Sequence, residues 1–338
     1  MIRSAGGRAG ETRTALPLWE RIRTPMANYY IRKAAGVIVT LFLVSLLTFA
    51  VFQILPGDPA LVILGVDADP AQVQQLHDEM GLDKPIPIRF LSWIGGVLQG
   101  DLGTSYRYHQ PVSSLIGNAF GVTVQLAVFA LILTALVGIP VGIWLAHHSK
   151  KPYALPVSML SQLGLSVPAF CFSVLLINIF SVQLGWLPSM GYTPFTQDPA
   201  ACLKSLTLPS VAIAFGSAAV LIRYVKVSVI QQEHQDYVKT AQSKGVPSRK
   251  ILRGHVLRNS LIPVLTIFGM TITDVLGGSI IIENVFSLPG IGKLASDAIF
   301  GRDYAVVQYV VLLFAVLVLV INLITDILYS FLDPRVNL

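Results

Sequence analysis

The chain has 338 residues, 54% of them hydrophobic and only 12% charged, where soluble domains carry about 25% charged residues. That composition excludes an ordinary soluble enzyme and marks a membrane protein. The formal net charge of +6 therefore says less by its size than by its distribution along the chain.

Crossing about 30 Å of hydrocarbon takes about 20 apolar residues as helix. Six runs qualify, at 34–55, 120–146, 156–185, 207–230, 261–283 and 305–332. Their lengths predict an all-α bundle of six transmembrane helices. The tail ahead of the first run, residues 1–33, is rich in Arg, Gly and Thr over residues 1–25 and reads as disordered there; an internal Met26 makes the extension dispensable. The first run is followed by "LPGDPA", which lacks a small-x-small cleavage pattern, so it stays as an anchor.

The stretch 56–118 forms the first long loop. Within it, "DPAQVQQLHDEMGLD" predicts a short amphipathic helix from an Asp cap to Gly81, and "IRFLSWIGGVLQGDLGTSY" is too short and Gly-broken to span, so it packs on the outer face or lies in the interface. The second run carries Pro140 and the third Pro168, both sites of predicted kinks. The pairs Gly138/Gly142 and Gly277/Gly278 permit close helix approach. Cys171 in the third run and Cys202 in the loop after it have no metal-ligand spacing, and neither do the scattered histidines; His147 and His148 read as a helix end in the interface.

Basic residues fix the orientation. Arg3, Arg8, Arg13, Arg21, Arg23, Arg32 and Lys33 precede the first run, Lys150 and Lys151 follow the second, and eight more from Arg223 to Arg258 follow the fourth, with Arg335 after the sixth. The positive-inside rule makes this side cytoplasmic, so both termini are expected there.

The segment after the fourth run is the least membrane-like part of the core. Residues 224–244 contain no breaker and predict one continuous helix; Gly245 and Pro247 end it. Ser248 is placed to cap a second helix that enters the fifth run at Pro263. The result is a helix-turn-helix elbow, 231–260, in which Tyr237, Ala241 and Gly245 recur every four residues on one face, beside the basic Lys239, Lys244, Arg249 and Lys250. Read from the pattern alone, this is either a docking surface or a solvated loop attracted to anionic lipid.

At this elbow the chain resembles the membrane subunits of binding-protein-dependent ABC importers, and within them the first permease subunit of the peptide/nickel group. Lys239-Thr240-Ala241 stands where the family signature has E-A-A, and Gly245 where it has Gly. His255-Val256-Leu257-Arg258 departs from the expected I-x-L-P, with the proline delayed to Pro263, and looks like the "AxxKG…HxLRNxLIP" pattern of the peptide/nickel branch. The likeness extends through "ILPGDPA", "GLDKP", "QGDLGTSY", "LGGSIIIENVFSLPGIGKL", "RDYAVVQ" and "ILYSFLDPRV". It implies a type I importer permease fold with residues 119–332 as the core and 333–338 as a tail, placed in a bacterial cytoplasmic membrane. It further implies ATP-driven uptake of peptides, nickel or a metal chelate, with the elbow as coupling helix: Tyr237, Thr240, Ala241, Lys244 and Gly245 would meet an ATPase. The implied partners are a second permease, two ATPase subunits or domains carrying ATP and magnesium, and an external binding protein. This chain itself would hold no cofactor.

The residues agree with an outside energy source. No G-x4-G-K-[ST] phosphate loop occurs; "PGIGKL" has Ser287 in place of the first Gly and Leu294 in place of the magnesium-binding hydroxyl. No nucleophile-base or paired-carboxylate spacing appears either. Within the runs, Asp274 is expected to face the bundle interior, as a pathway or gating group or as a structural hydrogen-bond partner; Pro168 and Asn178 are further pathway or gate candidates, and Gln125, Asn322 and Asp326 weaker ones. A stand-alone transporter or channel coupled to an ion through Asp274 is the competing reading, and a scaffold without a pathway the third.

Overall fold

The computed structural model describes residues 18–54, 58–65, 68–105 and 107–332. The expected stop at Pro56-Gly57, most of the expected disordered tail and residues 333–338 lie outside them. Helix α1 (Leu18–Ile54) begins within the stretch read as disordered, and its apolar part is Arg32–Ile54.

The first long loop folds into α2 (Pro59–Leu64), α3 (Pro70–Met80) and α4 (Ile86–Gln99), then a two-stranded antiparallel hairpin, β1 (Thr104–Ser105) with β2 (Gln110–Pro111). Sequence chemistry accounts for the helix limits. Asp58 and Asp69 cap α2 and α3 by accepting from Ala60 and Ala71 N–H, and Gly81 and Gly100 end α3 and α4 in the left-handed conformation, which glycine adopts without a Cβ penalty. Helix α4 packs on α1 and the last helix through aromatic contacts, Phe49 edge-on to Phe90 at 5.3 Å and Trp93 tilted on Tyr309 at 5.8 Å.

The bundle follows: α5 (Val112–His147), α6 (Leu155–Ser166), α7 (Ala169–Leu176, continued as a π-helical segment Ile177–Gln183), α8 (Pro199–Glu233), α9 (Asp236–Ser243), α10 (Ser248–Ile251), α11 (Leu257–Val285, joined to α10 through π-helical Leu252–Val256), α12 (Ile291–Phe300) and α13 (Tyr304–Leu332). Among the described residues five helices are long and apolar enough to cross a membrane, and the bent pair Pro152–Ser166 and Ala169–Gln183 makes a sixth crossing if it is one span. The third run is thus not a kinked helix. It turns through 110°, because Pro168 has no N–H for the ladder and forces Val167 into extended backbone (φ −91, ψ 120). Pro140, by contrast, lies inside an unbroken α5. Cys202 is not in a loop but buried in α8, which starts eight residues early behind the Asp198 cap.

The core lies where α5, α8 and α11 cross, around Leu126, Leu206, Ile213 and Val275. Gly138 and Gly142 let α5 approach α8: a Cβ on them would stand 2.8 Å from Leu221 Cδ2 and 2.7 Å from Val225 Cβ. Gly277 and Gly278 face open space instead. We therefore expect Gly142→Leu to destabilise the purified protein by about 2 kcal/mol or more through overpacking and Gly277→Ala to leave it nearly unchanged. Thermal unfolding of the two variants checks this, and equal midpoints would contradict it.

The elbow, an exposed stripe and a buried clasp

Helix α8 ends at Glu233, eleven residues before the predicted limit. His234 caps it with Nδ1 2.7 Å from Ile230 O, and Gln235 turns extended (φ −71, ψ 151). The new helix α9 then starts with the acidic Asp236, favourable at a positive N-terminal dipole; a Tyr237 hydroxyl bond to Gln232 Oε1 (2.8 Å) fastens it to α8. Its far end is as expected: Gly245 sits at φ +72. The cap of α10 is not Ser248 but the Pro247 carbonyl, which accepts from Lys250 and Ile251 N–H at 2.9 and 3.1 Å.

Val238, Ile251 and Val256 are buried together with Leu221, Val225, Val229 and Val264 of the long helices, and Ser228 Oγ donates to Ser260 O at 2.8 Å across α8 and α11. This core makes the elbow one piece with those helices. Tyr237 and Ala241 are half buried against that same cluster, so the regular ridge faces largely inward. The free face carries Asp236, Lys239, Thr240, Ser243, Lys244 and Gly245. On it, Lys239 holds Asp236 at 2.8 Å and pulls the carboxyl below its ordinary pKa.

Asp274 does not face the interior. It lies on an exposed stripe of α11 with Met270, Gly277 and Ile281, spaced so as to share one helix face, while Thr271, Val275 and Ser279 point into the core. Pro168 and Asn178 are exposed as well, and no hydrogen bond joins them to Asp274. Asp326 pairs with Lys33, tying α13 to α1.

A buried polar cluster at the end of α11 is one the sequence reading did not single out. Glu283, fully buried near the end of α11, accepts from Thr123 Oγ1 at 2.7 Å and from the backbone N–H of Gly292 (2.7 Å) and Lys293 (3.2 Å), while Thr123 Oγ1 accepts from Ile291 N–H at 2.8 Å. Helix α12 has no local side-chain cap; Glu283 caps it from across the turn, satisfying donors that a helix start leaves open. Gly290 and Gly292 are required here, because a Cβ on either collides with the Glu283 carboxylate or with Ile280. The phosphate-loop-like "PGIGKL" is thus a helix start already filled by the chain's own carboxylate. The available signal was an acid seven to nine residues before a Gly-x-Gly helix start. Beside this clasp, Ser105 donates to buried Asp303, and Arg107 Nη1 to Asp297 O at 2.9 Å, fastening the hairpin to the α12–α13 turn. Across the first long loop Asp58 meets His77 Nε2 at 2.7 Å; burial raises its pKa, but the bonds from His77 and Ala60 outweigh this and leave it lowered.

Two family descriptions match the chain: "Binding-protein-dependent transport system inner membrane component" over residues 138–338, and the N-terminal part of such membrane components over residues 26–127. A protein of Brucella suis biovar 1 named for a peptide transport system permease is 39% identical over 312 residues, covering 92% of this chain and 99% of its own. The glutathione transport system permease protein GsiC of Salmonella typhimurium is 38% identical over 313 residues, with the same coverage. Among solved structures, a chain of the inward-facing MetNI methionine ABC transporter matches with a TM-score of 0.56 and 18% identity, over 65% of this chain and 97% of that one, which shows the type I permease fold. The chain is a multi-pass inner-membrane protein and belongs to the family of binding-protein-dependent transport system inner membrane components.

Proposed function

We propose that the chain is a pathway-forming permease subunit of an ATP-driven, binding-protein-dependent importer, with the elbow end and both termini in the cytoplasm. The observation that carries this is the elbow: a short helix with an exposed polar and basic face, built into one core with the two long helices on either side. Mechanical displacement of that face by a partner would move α8 and α11 together, which is how an outside motor can bias a two-state bundle. The chain has no phosphate loop, so ATP and magnesium belong on two ATPase subunits. Thr240, Lys244 and Gly245 make the contact, with Tyr237 and Ala241 holding the helix from beneath.

The exposed stripe of α11 supports a second permease subunit and a shared pathway. A carboxylate on a lipid-facing helix centre costs about 3 kcal/mol, so Asp274 belongs beside water or a partner chain; Pro168 and Asn178 are assigned to the same pathway or its gate. The relatives' names favour peptides over nickel or a chelate, and glutathione is itself a tripeptide; an external binding protein would deliver the solute. Reconstitution tests the reading: uptake should require the ATPase subunits and ATP. Asp274→Leu should lower uptake about tenfold at unchanged expression, equivalent to about 1.4 kcal/mol. Uptake by the chain alone, driven by an ion gradient, would instead favour the secondary-transporter reading, for which the unpartnered Asp274 is the specific observation.

A further inference from the structure

A cavity of about 480 Å³ opens at the loop end, between α1, α4 and the start of α13. Two donors on its wall lack an anionic partner. Arg89 is half buried, and its Nη1 donates to the neutral Gln53 Oε1 at 3.0 Å. Trp93, one helical turn on, has a buried indole N–H with no acceptor in good hydrogen-bond geometry, its polar neighbour being the neutral Tyr309 hydroxyl. Ser92 lines the same wall. Buried donors are normally satisfied, and a guanidinium with four N–H groups to spare beside an indole N–H suits a phosphate or carboxylate. Burial lowers the Arg89 pKa without an acid to offset it.

Other parts of the wall carry Asp78, Glu79 and Asp101, with Lys84 among them. Asp78, Glu79 and Asp101 take neutral donors, from Gln74, Gln75 and Gly103 N–H, and none is paired with a cation among the described residues. A purely anionic ligand would be repelled by them, whereas a zwitterion meets both signs.

We propose that this cavity binds a zwitterion, its phosphate or carboxylate on Arg89 and Trp93 and its ammonium on the acidic wall. The neighbouring surfaces point to a lipid of the ethanolamine type as the source. Ile88, Leu91 and Leu98 of α4 and Phe42, Leu43 and Leu47 of α1 are exposed, placing acyl chains at the cavity's edge with the head group at the level of the charged wall. A free peptide offers the same chemistry. The site is independent of what docks on the elbow.

The test uses the purified transporter containing the full chain. It is relipidated with phosphatidylethanolamine or phosphatidylglycerol, or titrated with dialanine, and retained ligand is counted by native mass spectrometry. Phosphatidylethanolamine should be retained in preference to phosphatidylglycerol. Arg89→Gln and Trp93→Phe should each weaken retention about tenfold, the expected loss of one charge-assisted or buried hydrogen bond. Trp93→Phe keeps the ring, so an unchanged unfolding midpoint separates lost binding from misfolding. Dialanine binding with the same sensitivity would assign the site to a free zwitterion. Retention of neither, equal retention of phosphatidylglycerol, or indifference to both variants overturns the proposal.

Discussion

Glu283→Ala is expected to lower the thermal unfolding midpoint of the purified protein by about 4 °C, the shift that about 3 kcal/mol gives a chain of this size. The carboxylate takes three hydrogen bonds in a fully buried site, and removing it strands Thr123 Oγ1–H, Gly292 N–H and Lys293 N–H together. Each stranded buried donor costs roughly 1–3 kcal/mol. Glu283→Gln keeps one acceptor oxygen and should lose about half as much. Glu283→Asp, one methylene shorter, should resemble the alanine variant, because reach rather than charge then fails. Differential scanning measurements on the three variants check the order. A midpoint for Glu283→Ala equal to that of the unaltered protein would mean that the clasp does not hold α12 in place.

For Gly245→Glu the expected outcome is different in kind: at least a tenfold loss of ATP-driven uptake, with normal membrane insertion. The position has φ +72 and open space around a Cβ, so the fold bears only the left-handed backbone cost of about 1–2 kcal/mol. What changes is the exposed face, where a bulky negative group would stand beside Lys244 and keep a docking body at a distance. Gly245→Ala imposes the same backbone cost without the bulk and separates the two effects. Comparable uptake by Gly245→Glu and the unaltered chain would remove the elbow from the coupling scheme.

How far the sequence could be read depended on whether a feature was local. Asp69, Gly81 and Gly245 announced their caps because the reason for each lies within one turn of backbone. The apolar runs located the long helices, although α5 and α8 begin about eight residues earlier than apolarity alone suggests. The break at His234-Gln235 was not legible, since neither residue is a breaker; it follows from Tyr237 reaching back to Gln232 and from Val238 burying itself against the bundle. Pro168 was legible as a disturbance but not as a 110° turn, whose size depends on α6 and α7 each packing separately on α8, as Gly164 near Ala219 and Phe172 stacked on Phe215 show. Asp274 was expected inside because a lone carboxylate in an apolar run needs company; the structure leaves that company to come from outside the chain. Glu283 passed as one letter of a motif because its partners, Thr123 and the start of α12, come from two other helices.

Force entering through the elbow is the claim on which the rest depends, and proximity in the assembled transporter tests it most directly. A photo-crosslinking side chain placed at the exposed Thr240 in intact cells should yield an adduct with an ATPase subunit, shielded from membrane-impermeant reagents added outside. An adduct with an external protein, or labelling of that position from outside the cell, would contradict the account.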